Sequence, residues 1–164
     1  MVVWQAVLAG AALLFLGYLL VRMRPSGGSA RGALSAEVRA ARDRARKATD
    51  PRERAEAYCR AGNLALENGG RPTAAAGFFL RAIKADPTWA GAIEQVVAAF
   101  SRRRPRLLEK MLWRRLGNTT WDAAHRPALR AAALGLERVY QGRLRDGAKR
   151  DAMKRLAADL SREG

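Results

Sequence analysis

Cysteine and histidine are almost missing from this 164-residue sequence, in which Cys59 and His125 are the sole residues of their types. One cysteine excludes an intrachain disulfide and leaves no cysteine pair for zinc binding or redox chemistry. Sequence patterns typical of a phosphate-binding loop, a nucleophile elbow or a metal-ligand cluster are also missing. These absences predict a protein that is not an enzyme and uses no cofactor. Cys59 is then a small packed residue, and His125, with Asp122 three residues before it, is a surface or capping residue near a helix start.

Acidic residues are scarce, since 15 Asp and Glu stand against 31 Lys and Arg and give a formal net charge of +16. This excess favours contact with an anionic partner such as nucleic acid, a lipid surface or an acidic protein. The basic residues are mostly arginine and are scattered along the chain, so that a compositional bias toward arginine explains the charge equally well. Both interpretations stay open at the level of composition.

Residues 2–21 form a long apolar run, VVWQAVLAGAALLFLGYLLV, without a charged residue. Its length matches the roughly 20 residues that an α-helix needs to cross the hydrocarbon core of a bilayer. Trp4 and Tyr18 lie near its two ends, where interfacial aromatic residues are common. A cleaved signal peptide carries positive charge before a shorter apolar run. Here the charge follows a longer run, so we predict a retained transmembrane anchor over residues 1–23.

Positive charge is concentrated after this run, beginning with Arg22, Arg24 and Arg31. Basic flanks stay on the cytoplasmic side of a membrane. We therefore expect a single-pass membrane protein with a short outer N-terminus and a cytoplasmic C-terminal domain. The alternative is a periplasmic C-terminal domain, which would be an exception to this distribution of basic flanks.

The rest of the sequence is predicted to be all-α, because no segment shows the strict alternation of a strand. Residues 24–34 are a linker rich in Pro, Gly and Ser. A basic juxtamembrane helix follows over residues 35–49, from Ser35, and lies against the next helix or against anionic lipid headgroups. Cap, proline and glycine signals predict six further helices: Asp50 to Gly69, a helix from Pro72, Pro87 to Phe100, Pro105 to Gly117, Pro127 to Gly142, and Gly147 to Ser161.

Small and large residues recur at helical spacing in the two helices on either side of Gly69. They are Tyr58, Ala61, Gly62 and Ala65 in the first helix, and Ala75, Phe79 and Ala82 before Pro87 in the second. This arrangement resembles the tetratricopeptide (TPR) repeat. The resemblance implies an α-solenoid of antiparallel helix pairs, in which Gly62 allows a close approach to Ala75 or Ala82 and Phe79 lies inside.

A second pair keeps the first-helix spacing of the resemblance at Ile93, Val96, Val97 and Phe100. Its other helix has large residues in place of small ones, and Trp113 is expected in its core. We assign residues 50–117 to TPR-like helix pairs and residues 118–164 to a C-terminal capping helix pair.

The resemblance also implies a groove, lined by the first helix of each pair, that binds a protein or peptide partner. The positions of this sequence that match it are Glu56, Cys59, Asn63, Leu66, Glu94 and Ala98. Some family members clamp a peptide carboxylate there with Lys and Asn. Asn63 falls at such a place, but Cys59 stands where the Lys would be, which argues against a clamp.

The densest basic cluster predicts a patch for an anionic partner, and it has Trp113 and Trp121 nearby in sequence. It consists of Arg102, Arg103, Arg104, Arg106, Arg114 and Arg115. Such a cluster grips phosphates with aromatic support, or it is a solvated turn. The TPR resemblance together with the apolar run implies a membrane-anchored adaptor or assembly factor at the inner membrane of a bacterium, which binds a partner protein. The Arg-rich surface favours the alternative, a membrane-tethered nucleic-acid- or ribosome-binding protein.

Overall fold

All regular secondary structure is α-helical in residues 28–67, 69 and 72–162, the part of the chain that the structure, a computed structural model, describes. The helices are α1 (Gly28–Lys47), α2 (Pro51–Glu67), α3 (Pro72–Ala85), α4 (Ala90–Phe100), α5 (Pro105–Asn118), α6 (Arg126–Gly142) and α7 (Gly147–Arg162). The all-α prediction is confirmed for these residues. None of these helices has the length and apolar character to cross a membrane. The predicted anchor, residues 1–23, lies outside the described residues.

The ends of α2 follow the turn chemistry that the sequence predicts. Asp50 caps the N-terminus, since its Oδ2 accepts a 2.9 Å hydrogen bond from the backbone N–H of Glu53, and Pro51 occupies the first helical position. Gly69 adopts a φ of 66°, in the left-handed region that glycine reaches without strain. Its N–H donates to the carbonyl oxygen of Leu66, so the chain leaves α2 here.

Two helix starts differ from the sequence-based expectation. α1 begins at Gly28 and not at Ser35, so that residues 28–34, predicted as a linker, are helical. α4 begins at Ala90 and not at Pro87, because Asp86 holds the chain in a turn. Its Oδ1 accepts hydrogen bonds from the backbone N–H of Thr88 at 3.0 Å and from the Thr88 hydroxyl at 2.7 Å. Such local bonding is the reason that Asp favours turns as well as helix caps.

Part of α1 lies against α2. Ala41 and Ala45 are buried, and Ala41 lines a surface hollow together with Ala57 and Leu64 of α2. Ala41 therefore borders α2 at this hollow.

Helices α2 to α7 form three successive pairs, in which α2, α4 and α6 are the first helices and α3, α5 and α7 the second helices. α2 is antiparallel to α3, since Arg52 reaches Asp86 and Gly62 lies against Phe79 further along. α4 contacts α2, α3 and α5, and α6 contacts α4, α5 and α7. No Cα atom of α3 lies within 8 Å of one in α5, both helices being fully described. The second helices of the first two pairs therefore remain apart.

Phe79 lies inside the first pair, as predicted. Its side chain is fully buried, and its ring centre lies 5.7 Å from that of Phe100 with an interplanar angle of 81°, an edge-to-face arrangement that aromatic pairs prefer. A Cβ atom added at Gly62 would lie 3.0 Å from the Phe79 ring. Gly62 therefore makes room for Phe79 itself, rather than for Ala75 or Ala82. Residues 34–164 form one unit around a buried cluster that includes these rings.

Asp86 joins the start of α2 to the turn between α3 and α4. Its Oδ2 accepts a 2.6 Å hydrogen bond from Arg52 Nε, and the Arg52 guanidinium lies 5.0 Å from the centre of the Trp89 ring. Burial raises the pKa of the Asp86 carboxyl, but the hydrogen bonds from Arg52 and Thr88 outweigh this effect, and the net pKa lies below its ordinary value. The carboxylate is therefore charged at neutral pH and bonded through both oxygens.

Replacing Asp86 with asparagine is expected to lower the free energy of unfolding by about 1 kcal/mol at neutral pH, the upper range for a partly exposed ion pair. A carboxyl whose pKa is depressed by folding stabilises the native state above its unfolded-state pKa of about 3.9, and this contribution is lost as the pH falls through the folded-state value. Urea unfolding should therefore show a difference between wild type and variant that shrinks below about pH 4. A difference that stays the same in acid would contradict this account. Asp159→Asn, at an exposed position, is the matched control.

Candidate partner-binding surface

The predicted groove positions on α2 divide between solvent and core. Glu56 is exposed, whereas Cys59 is only 1% exposed. Burial, followed by the nearby charge of Glu56, raises the pKa of the Cys59 thiol to about 12. Cys59 is thus the small packed residue that its apolar surroundings favour. It does not line an open groove, which corrects its place among the expected partner contacts.

Asn63 and Leu66 are half-buried. The side-chain amide of Asn63 donates a 3.1 Å hydrogen bond from Nδ2 to Oε1 of Gln95 on α4, and Leu66 packs against the core. Since Arg52 approaches Trp89 at one end and Asn63 approaches Gln95 further along, α2 and α4 run in the same direction. Asn63 therefore ties the first helices of two neighbouring pairs together.

Glu94 and Ala98 are exposed on α4, and Glu94 lines a hollow of ≈ 320 Å³ between α4 and α6. This α4–α6 hollow is lined by Glu94, Val97, Ala131, Leu134, Gly135 and Arg138. Leu134 is 44% exposed there. An exposed apolar side chain close to a carboxylate and a guanidinium gives a peptide both an apolar contact and polar partners.

The residues of α6 that line this hollow are not among the groove positions that the sequence predicts. α6 buries a stripe of residues at helical spacing, among them Leu129, Ala132 and Leu136. Leu134 falls outside that stripe. A lone large apolar residue on the polar side of an amphipathic helix is the signal that identifies its exposed position.

The predicted anionic-partner patch is mostly open to solvent, since Arg102, Arg103, Arg104, Arg106 and Arg114 are exposed. Arg115 is the exception. It is half-buried, and its guanidinium donates a hydrogen bond to the backbone carbonyl oxygen of Pro87. Burial lowers the pKa of the guanidinium. Arg115 therefore connects α5 to the α3–α4 turn and does not belong to the open patch.

Trp113 lies at the surface, which corrects its expected place in the core. It is 43% exposed, and its Nε1 donates a 2.8 Å hydrogen bond to the hydroxyl oxygen of Tyr140. That hydroxyl donates in turn to Oε1 of Glu109 at 2.6 Å. Burial, followed by the hydrogen bond with Glu109, raises the pKa of Tyr140 to about 12. The indole N–H finds its acceptor at the edge of the core, and the ring remains outside it.

His125 immediately precedes α6, in agreement with its predicted place near a helix start. Asp122 Oδ1 accepts a 2.9 Å hydrogen bond from the backbone N–H of His125 and lies 2.7 Å from its ring Nδ1. These two contacts lower the pKa of the Asp122 carboxyl. The pair orders the chain entering α6.

Within residues 28–67, 69 and 72–162, no group of three or more His, Cys, Asp or Glu side chains is placed to hold a metal ion. Comparison with protein-family models, with curated proteins and with solved structures gives no match to this chain. Of the six predicted groove positions, Glu94 lines the α4–α6 hollow, and Glu56, Glu94 and Ala98 are exposed.

Proposed function

We propose that this chain is a membrane-anchored, non-enzymatic adaptor or assembly factor whose TPR-like helix pairs bind a partner protein or peptide. The observation that carries the proposal is the order of helix contacts. α4 touches both helices of the pair before it, and α6 does the same one pair later. Stacked helix pairs that contact only their neighbours are the defining arrangement of an α-solenoid.

Local packing supports the TPR-like assignment at both ends of the stack. In the first pair, the absence of a side chain at Gly62 leaves the space that the Phe79 ring fills. In the last helix, α7, only Met153 and Ala157 are buried, and the remaining positions are polar or partly exposed. A polar outer face of this kind is typical of a capping repeat in an α-solenoid.

The binding face in this proposal is the side formed by α2, α4 and α6. These first helices contact one another in sequence, and Glu56, Glu94 and Ala98 are exposed along them. The α4–α6 hollow provides the apolar contact, with Leu134 as the residue that a partner covers. Solenoids use extended surfaces of this kind to bind other chains.

The membrane part of the proposal rests on the apolar run at residues 2–21 and on the basic residues that follow it. The run would span the inner membrane of a bacterium once, with the helix pairs on the cytoplasmic side. The basic α1 then follows the anchor, and anionic headgroups would attract its exposed Lys and Arg side chains.

Replacing Leu134 with glutamine is expected to reduce capture of the protein partner by about tenfold, since a central apolar contact of an interface is worth at least about 1.4 kcal/mol. Glutamine keeps the helix propensity of leucine, and Leu134 is half-exposed, so the fold should remain intact. The measurement is quantitative affinity purification of wild type and variant in mild detergent, after nuclease treatment.

Arg130→Gln, at an exposed position of the same helix, serves as the matched control and should retain the partner. Loss of all co-purifying proteins on nuclease treatment would reject the adaptor and favour nucleic-acid binding, which should also fall steeply with added salt. Equal capture by wild type and Leu134→Gln would reject the α4–α6 hollow as the binding site.

A further inference from the structure

A second hollow lies between two helices that do not belong to the first-helix face. It has a volume of ≈ 550 Å³ and is bordered by α3, α5 and the turn after α3. Its origin is the gap between the second helices, because α3 and α5 have no Cα atoms within 8 Å of each other. We call it the α3–α5 hollow. It is larger than the ≈ 320 Å³ hollow between α4 and α6.

The floor of the α3–α5 hollow is apolar. It is lined by Leu80 and Ile83 of α3, by Pro87, and by Met111 of α5. Leu80 is 41% exposed although it lies in the middle of a helix. Large apolar side chains gathered around a surface hollow with a polar rim are typical of an interaction site.

The rim of the hollow is cationic. Lys84 and Arg114 line it and are exposed. Arg115 also lines it, and its Nε is buried without a hydrogen-bond partner. No carboxylate in the described part of the chain forms an ion pair with any of these three side chains. The buried Nε of Arg115 has lost water without gaining a hydrogen-bond partner, which is unfavourable, and the exposed Lys84 and Arg114 are available to pair with an incoming anion.

The surrounding segments add no carboxylate to the lining. Asp86, in the turn after α3, is bonded to Arg52 and Thr88 and does not line the hollow. α3 contains no Asp or Glu, and α5 contains only Glu109. The Glu109 carboxylate accepts the hydrogen bond of the Tyr140 hydroxyl and does not line the hollow. The α3–α5 hollow therefore combines an apolar floor with charged residues that are all positive.

We propose that the α3–α5 hollow docks an acidic amphipathic helix of a partner protein. An apolar side chain of that helix enters between Leu80 and Met111, and carboxylates on either side of it pair with Lys84, Arg114 and Arg115. Recognition of an amphipathic helix by an apolar groove follows this pattern of spaced anchors. This second site does not depend on the α4–α6 hollow or on the function proposed for it.

Two other anionic partners fit the hollow less well. A bilayer presents a broad surface that cannot enter a hollow between two helices. A nucleic acid would meet apolar side chains at the floor, which offer its sugars and phosphates no hydrogen bond or ion pair. The nearby aromatic ring of Trp113 is directed to Tyr140 by its hydrogen bond and does not line the hollow.

The test uses a synthetic fluorescein-labelled peptide of about 16 residues, long enough for four helical turns. It carries Leu at positions i, i+3, i+4 and i+7 and Glu at the flanking positions, and a matched peptide has Gln in place of Glu. The chain of residues 1–164 is held in nanodiscs of neutral phosphatidylcholine, which also keeps detergent out of the hollow. Binding is measured by fluorescence anisotropy.

The double variant Lys84→Glu/Arg114→Glu is expected to weaken binding of the acidic peptide by about tenfold or more, as is the exchange of Glu for Gln in the peptide. Leu80→Gln should weaken it by a similar factor through the apolar contact, and circular dichroism should show unchanged helix content in each variant. The control Arg130→Glu/Lys154→Glu makes the same change in net charge at exposed positions and should stay within about twofold of wild type.

Equal weakening by the control pair would overturn the proposal, since net charge alone would then explain binding. Equal affinity for the Glu and Gln peptides would overturn it as well. So would unchanged peptide binding by Lys84→Glu/Arg114→Glu, because the cationic rim would then play no part in recognition. Leu134→Gln should leave the peptide affinity unchanged, so this result separates the two sites.

Discussion

Replacement of Phe79 by alanine is expected to lower the free energy of unfolding by about 3–5 kcal/mol, the range for deletion of a fully buried aromatic side chain. The fully buried Phe79 touches two parts of the core at once. It fills the space beside Gly62 and packs edge-to-face with Phe100. The cavity left behind borders two helix pairs. Equilibrium unfolding in urea measures the change.

The neighbouring Phe78 provides the control for this substitution. It is half-buried, and the guanidinium of Arg81 lies 5.8 Å from its ring centre. Phe78→Ala removes the same atoms from the same helix, and we expect it to cost about 1 kcal/mol or less, in keeping with a position outside the core. Similar losses for the two variants would show that Phe79 is not the packed member of the pair.

Replacement of Gly135 by valine is expected to destabilise the fold by about 1–3 kcal/mol through overpacking. Its Cβ alone would lie 2.5 Å from Val97 Cγ2 and 2.9 Å from Leu112 Cδ1. Both neighbours are buried, and the χ1 angle of Val97 is stiff because valine is β-branched. α6 would have to move away from α4 and α5, and thermal unfolding followed by circular dichroism would report the loss.

Gly117 in α5 is a glycine at which a larger residue is expected to stabilise the fold. A Cβ at Gly117 would meet no atom within 4 Å, so Gly117→Ala should stabilise the helix by up to about 1 kcal/mol through its higher helix propensity. The signs of the two glycine substitutions should therefore differ. Stabilisation by Gly135→Val would mean that α6 does not approach α4 as closely as the structure places it.

Local turn chemistry was the most readable part of the sequence. Asp50 caps α2, and Gly69 has the positive φ that its glycine identity favours, because these signals depend on a few neighbouring residues. The Asp86-Pro87 signal was misleading for the same local reason: an aspartate carboxylate can cap a helix or close a turn, and here Thr88 and Arg52 bond it. Which of these hydrogen bonds form depends on the position of α2 in the tertiary structure, and the residues around Asp86 do not determine that position.

The direction of individual side chains was harder to predict from the sequence. The TPR resemblance identified the buried Phe79 but also implied a groove position for Cys59, and Trp113 was expected in the core. Such errors arise because one residue step moves a side chain by about 100° around a helix. Arg115 was grouped with its neighbours in the patch, although its guanidinium turns inward to Pro87. Leu134 and the α3–α5 hollow involve pairs of helices distant in sequence, so a single-helix pattern does not reveal them.

The gap between α3 and α5 also has a mechanical consequence. Because the first helices contact one another and the second helices of the first two pairs do not, we expect the stack to be stiff along α2, α4 and α6 and compliant on the other side. Bending about the stiff side would widen or narrow the gap without breaking a helix–helix contact. The hydrogen bond from Arg115 to the carbonyl of Pro87 spans that side and would act as the tether that limits how far it opens.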